Sequence, residues 1–161
     1  MEERSAVVAL FDSNRRSVAP GVQPARVLPA QQAGQAGNTW YRIPLNEIVF
    51  AFLGSKTTTD LIQTKWARQI AFDEAAVYVR TVKGVFRTRS SHLGRLEQDL
   101  RDFEVVGVNR SLIARLDRVR LLNGPSEVGM EVANTVELLH AAHRDFNSIL
   151  TLSGLSRRDF K

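Results

Sequence analysis

At 161 residues and 43% apolar composition, the chain is long enough for one domain with its own core plus an extension. It holds no cysteine, which excludes disulfides, thiolate chemistry and cysteine metal sites, and it has no apolar run of 18 residues, so no spanning helix is expected. The net charge of +5 falls entirely within residues 77–120, where ten cations (Arg80, Lys83, Arg87, Arg89, Arg95, Arg101, Arg110, Arg115, Arg118, Arg120) face five acids. Nine of those ten are arginine, whose planar fork binds phosphate and guanine bidentately.

Residues 1–38 differ in texture from the rest. Ala6–Phe11 is a short apolar run, but Pro20, Pro24 and Pro29 follow, then a Gln/Gly-rich stretch. This composition predicts a flexible N-terminal arm or linker, in which Val7–Phe11 either docks on a partner or on the domain or belongs to a disordered tail. No apolar h-region adjoins the first charges, so no secretory signal is expected. From Thr39 the texture changes: Trp40–Leu53 is interrupted at Pro44, then almost wholly apolar up to Gly54. That predicts a buried strand. The β-branched run Thr57–Thr64 predicts a second strand.

Val77–Val82 alternates as a half-exposed strand should, Lys83-Gly84 makes a hairpin turn, and Val85–Arg89 returns with Arg87 and Arg89 on one face. Leu93, Leu96, Leu100 and Phe103 then make one apolar stripe, predicting a helix of about three turns. Its outer face is nearly neutral (Arg95, Glu97, Asp99, Arg101), which suits a core brace better than a helix that reads DNA.

Phe103–Leu121 is the most informative stretch. Apolar residues at Val108, Leu112, Ile113, Ala114 and Leu116 leave Asn109-Arg110-Ser111 as a run of three hydrogen-bonding side chains between strand-like segments. An amide, a guanidinium and a hydroxyl together suit phosphates and base edges. The alternative is a solvated turn in which Asn and Ser cap their own backbone. After the Asn123–Ser126 turn, Glu127–Val132 alternates again and Val136–Leu139 follows Asn134-Thr135.

Chemistry is sparse. His140 and His143 have the spacing of two ligands on one helix face, but three histidines in all and no supporting ligand argue against a metal site. No phosphate-binding glycine loop or nucleophile elbow is present, and Asp73-Glu74 would point to opposite faces of a strand. These observations predict a protein that is not an enzyme and needs no cofactor.

The segment Asn109-Arg110-Ser111-Leu112-Ile113-Ala114-Arg115-Leu116-Asp117-Arg118-Val119, with Phe103 ahead of it, resembles the central signature of the LytTR DNA-binding domain of bacterial transcription regulators. Val77–Gly84, Phe86 and Leu93-Gly94-Arg95-Leu96-Glu97 resemble that family's strand, glycine turn, strand and helix. Pro44–Phe50 resembles its first motif, after which either Trp66–Ala76 is an insertion or the family's turn-and-helix motif falls at Arg68–Asp73. Lining up Phe146 and Ile149 puts Ala142, His143 and Arg144 where the family has Ser-Arg-Arg, so His143 replaces an arginine.

The resemblance implies a mainly β, multi-sheet domain with one or two short helices, spanning 39–156 and followed by a basic tail, 157–161. It implies a stand-alone regulator, without a receiver domain, that binds double-stranded DNA in the bacterial cytoplasm and reads the major groove with loops. Two copies, as a homodimer on DNA, would occupy direct-repeat promoter sites. Arg110, flanked by Asn109 and Ser111, would be one reading loop and His143 with Arg144 the second; the remaining loop, the family's first, would lie near Gly54–Thr58 or near Asp73–Ala76, with Lys56 the choice of the two. Arg80, Arg87, Arg89 and Arg115 would contact phosphates. The alternative function is a protein-interaction module, or co-regulator, that engages another regulator through the N-terminal arm, with the arginines merely solubilising.

Overall fold

Alternating and doubly apolar segments predict strands, and strands dominate the computed structural model, which describes residues 26–34 and 39–154. In chain order they are β1 (Val27–Gln32), β2 (Tyr41–Pro44), β3 (Ile48–Leu53), β4 (Ile62–Gln63), β5 (Val77–Thr81), β6 (Gly84–Thr88), β7 (Val105–Asn109), β8 (Leu112–Arg115), β9 (Val119–Asn123), β10 (Glu127–Val132) and β11 (Thr135–His140). The helices among the described residues are α1 (Thr58–Leu61), α2 (Lys65–Gln69), α3 (Leu93–Asp99) and α4 (His143–Ser153). Seven strands form one sheet in the order β2-β1-β6-β5-β3-β8-β7, and four form a second in the order β4-β11-β10-β9.

The central position of β3 follows from its sequence. Ile48–Phe52 are all buried, so the strand needs cover on both faces. On one face, Ala51, Val77, Val79, Phe86 and Ile113 pack against Leu96 and Leu100 at α3. On the other, Phe50, Phe52 and Leu112 meet Leu122, Val128, Met130 and Leu139 of the second sheet, with Phe146 and Ile149 of α4. The α3 region is therefore the brace expected of it, although the helix itself ends at Asp99.

Four local expectations change. Val27–Gln32, within the stretch read as a flexible arm, is a sheet strand between β2 and β6. The β1–β6 ladder begins at Ala30, one residue past Pro29, whose ring has no N–H to give. Residues 1–25 and the tail 157–161 lie outside the described residues. Second, Thr57–Thr64 is mostly not a strand. Ser55 N–H donates to Thr58 Oγ1 (2.9 Å) and Thr57 N–H to Ser55 Oγ (3.1 Å), so local hydroxyl bonds capture the backbone into a turn and α1. Only Ile62–Gln63 pairs, with Leu138 and Leu139 of β11. Third, β5 is not half-exposed: Val77, Tyr78, Val79 and Thr81 are all buried because both faces are covered. Fourth, the run between Pro44 and Gly54 is not strand throughout: Leu45–Glu47 is a 3-10 turn, and β3 begins only at Ile48.

Candidate nucleic-acid interface

Three chain reversals meet at one end of the sheets. Where β3 ends, Leu53 N–H donates to the Ser111 carbonyl (2.8 Å), which brings residues 53–56 beside the β7–β8 turn. Gly54 is held tightly there: a Cβ would lie 2.5 Å from the Asp73 carbonyl oxygen and 2.7 Å from the Tyr78 ring, so only glycine fits. The β11–α4 joint is tied to the same turn, since Ala142 N–H donates to the Val108 carbonyl at 2.9 Å.

Asn109 is the clamp between the last two. Its Nδ2 donates to the His140 carbonyl (2.8 Å) and its Oδ1 accepts from Ser111 N–H (2.9 Å). Asn109 thus caps its own turn and also tethers a second element. Arg110, at the apex, is exposed and has no hydrogen bond or ion pair among the described residues. His143 and Arg144 stand exposed in the first turn of α4, and Lys56 is exposed on the Ser55–Thr57 turn. The three loops therefore share one end of the molecule, each with a cationic or imidazole side chain turned outward.

His140 ends β11 and His143 opens α4, so the two are not neighbours on one helix face. Among the described residues no group of three His, Cys, Asp or Glu side chains is placed to hold a metal ion. No helix in the described residues is long and apolar enough to cross a membrane.

The four arginines expected at phosphates divide. Arg80 is turned inward, its side chain only 14% exposed, and bonds both oxygens of Glu137 at 3.0 and 2.7 Å. Trp66 Nε1 donates to the same carboxylate (3.1 Å), and the Arg80 guanidinium lies 5.5 Å from the Trp66 ring centroid. Arg115 is likewise buried: it takes Asp117 bidentately (3.0 and 2.7 Å), donates to the Asn46 carbonyl (2.6 Å) and lies over Phe103. That pairing holds the Asp117 carboxyl below the usual carboxylate range. Both arginines are withdrawn from phosphates because each satisfies an interior or partly covered acid. Arg87 and Arg89 remain exposed, the first 3.3 Å from Asp73 and the second stacked 4.3 Å over Trp40.

Tyr78 supports the same end from below. Its hydroxyl accepts from Asp73 N–H (2.9 Å), its ring stacks on Phe52, and burial raises its pKa above the usual phenol range. Sequence reasoning missed Glu137, Trp66 and Tyr78 as supports, and Arg42 and Trp40 as surface residues. The strand alternation that puts Arg87 and Arg89 on one face extends to Arg42 only once β1 is seen to lie between β2 and β6, which the sequence does not show.

No family model matches the sequence, and no curated protein is detectably similar to it. Among solved structures the chain is similar to the LytTr DNA-binding domain of a putative methyl-accepting/DNA response regulator from Bacillus cereus, with a TM-score of 0.54. Identity is 13%, and the match covers 83% of this chain and 100% of that one. The likeness is one of fold: the mainly β, two-sheet architecture is that of a LytTR domain.

Proposed function

We propose that this chain, folded as a LytTR domain, is a transcription regulator that binds specific double-stranded DNA and reads the major groove with loops. The observation that carries the reading is the convergence of three loops at one end. Each offers an exposed side chain without an internal partner among the described residues: Lys56, Arg110, and His143 with Arg144. Arg110 sits on a turn stiffened by Asn109, so its guanidinium reaches a base edge with little backbone freedom to lose. His143 and Arg144 form the second reading element, Lys56 the third, and Ser111 contributes mainly through its backbone. Arg87 and Arg89 bind phosphates. Two copies occupy direct repeats in promoter DNA, in a bacterial cytoplasm.

The test is selection from random duplex DNA, followed by binding of the recovered site against salt for wild type and Arg110→Ala. Paired repeats about one helical turn apart, with preference lost in the variant, support the reading. Failure to enrich any sequence, or unchanged preference in the variant, rejects it.

A further inference from the structure

The β2–β1–β6 part of the seven-stranded sheet lies at the far side from β8 and β7, and among the described residues one of its faces is left open at Pro29, Arg42, Arg87 and Arg89. Residues paired across antiparallel strands share a face. Ala30, Ile43 and Phe86 lie on the face packed with Leu96 and Leu100, and they are buried. The opposite face carries Pro29 paired with Arg42, and Gln31 paired with Arg87. Arg89 follows Arg87 by two residues. Trp40 precedes Tyr41, whose ring meets Phe86 on the covered side. Arg42, Arg87 and Arg89 are all exposed, and Trp40 keeps 41% of its surface open beneath the Arg89 guanidinium. Asp73 is the only acid paired with any of these three arginines among the described residues.

This face adjoins the reading end. Leu53 pairs with Val77, Tyr78 with Arg87, Ala30 with Thr88 and with Tyr41, so one row crosses the sheet from the Leu53–Ser111 contact to β2. Arg42, Arg87 and Arg89 each lie one residue from that row. Asp73 links the two regions directly, since it pairs with Arg87 and its carbonyl closes over Gly54. Five strand spacings separate β2 from the Arg110 turn, roughly 24 Å, or about seven base pairs of duplex.

We propose that the uncovered face of β2, β1 and β6 is a second duplex contact, gripping phosphates that flank the site read by the loops. The proposal rests on the DNA reading above and extends it to a surface that reads no bases. Charge selects the occupant: three arginines against one acid answer a polyanion. The chain's own first 25 residues carry Glu2, Glu3 and Asp12 against Arg4, Arg15 and Arg16, with no net negative charge to answer them. Trp40 holds the Arg89 guanidinium over its ring at the surface, ready for a phosphate rather than sweeping through solvent.

The experiment compares the full chain with Arg42→Ala/Arg89→Ala and with Arg110→Ala. The probe is the selected site, cut at its ends or extended by about ten base pairs of unrelated duplex, titrated over a range of salt. The wild type should bind the extended duplex more tightly. The double variant should lose that gain, with a salt slope shallower by about 1.8, two phosphate contacts at 0.9 each, and keep its sequence preference. Arg42→Gln/Arg89→Gln, run in parallel with thermal unfolding, covers the case in which the alanine variant fails to fold. An unchanged slope and flank gain, with Arg110→Ala still losing preference, overturns the second contact and leaves the loop reading standing. So does a change in self-association instead of slope, which would give the face to a second copy. Wild-type protein indifferent to every duplex overturns both.

Discussion

Arg80 and Arg110 are both single arginines in β-hairpin country, yet they serve opposite ends of the free-energy balance. Arg80 lies between the sheets, with both oxygens of Glu137, a backbone carbonyl and the Trp66 ring around it. Arg110 stands at an apex with no partner of its own among the described residues. A guanidinium that is internally satisfied contributes to the fold and has little left for a ligand. One held out on a stiff turn contributes nothing to the fold and is available. The difference teaches that basic charge counted along the sequence overstates the binding surface, because part of it is spent on interior acids.

The sharpest way to break this contrast is to remove the interior member. Arg80→Ala leaves the Glu137 carboxylate buried with only Trp66 to answer it. The expected loss of stability is about 3–5 kcal/mol, read by denaturant unfolding. Whatever folded protein remains should keep the wild-type order of preference among DNA sequences. Arg110→Ala should do the reverse. It is expected to cost about 1–3 kcal/mol in affinity for the selected site, with the melting curve moved by no more than about 0.5 kcal/mol. A large stability loss in Arg110→Ala would erase the distinction between the two arginines.

Tyr78→Phe probes the support beneath the Gly54 loop. It removes the acceptor for Asp73 N–H while keeping the ring on Phe52, and should cost about 1–1.5 kcal/mol. Because burial raises its pKa, the Tyr78 hydroxyl ionises first in the unfolded chain. Its contribution is complete below the ordinary phenol value and is lost as pH rises through the higher folded value. The wild-type excess in stability over Tyr78→Phe should therefore shrink in strong alkali.

The smallest effect is expected at Asp117, whose side chain is 59% exposed although its partner Arg115 is buried. Its carboxyl is depressed in the fold, so its contribution is present above the ordinary carboxylate value and fades as pH falls through the folded one. Melting temperatures of wild type and Asp117→Asn should differ near neutrality and converge on acidification. A gap that widens in acid would contradict the pairing.

Much of the scaffold was legible because burial leaves periodicity. The doubly apolar Ile48–Leu53 run, the Val77–Thr88 hairpin and the Leu93–Phe103 stripe all announce themselves by which faces must be covered. The Ser55–Thr58 turn was not, because β-branching favours a strand while hydroxyls that bond nearby backbone favour a turn, and the local bonds won. β1 was hidden by its composition: Pro29 and two glutamines look like linker, and only the register with β2 and β6 makes them sheet. At the candidate site the turn position of Arg110 could be read from the apolar residues flanking it, whereas Arg144, in the first turn of α4, came only through the family resemblance. The fates of Arg80 and Arg115 could not, since each is decided by an acceptor that only folding places: Glu137 for one, the Asn46 carbonyl for the other.

The joining of the two sheets has one further consequence. Arg110 hangs from the seven-stranded sheet, and Arg144 from the helix that follows the four-stranded one. On the function proposed above, the separation between the two positions they would reach on DNA is therefore a property of neither loop. It is set by the thickness of the layer between the sheets, where Phe52, Leu112, Met130 and Leu139 are packed without solvent. The interior acts as a caliper, and the Asn109 clamp locks its jaws. A change of volume in that layer, at residues that would never approach a nucleotide, would then shift which spacing of bases fits, and under the proposed function operator choice would be written partly in the hydrophobic core.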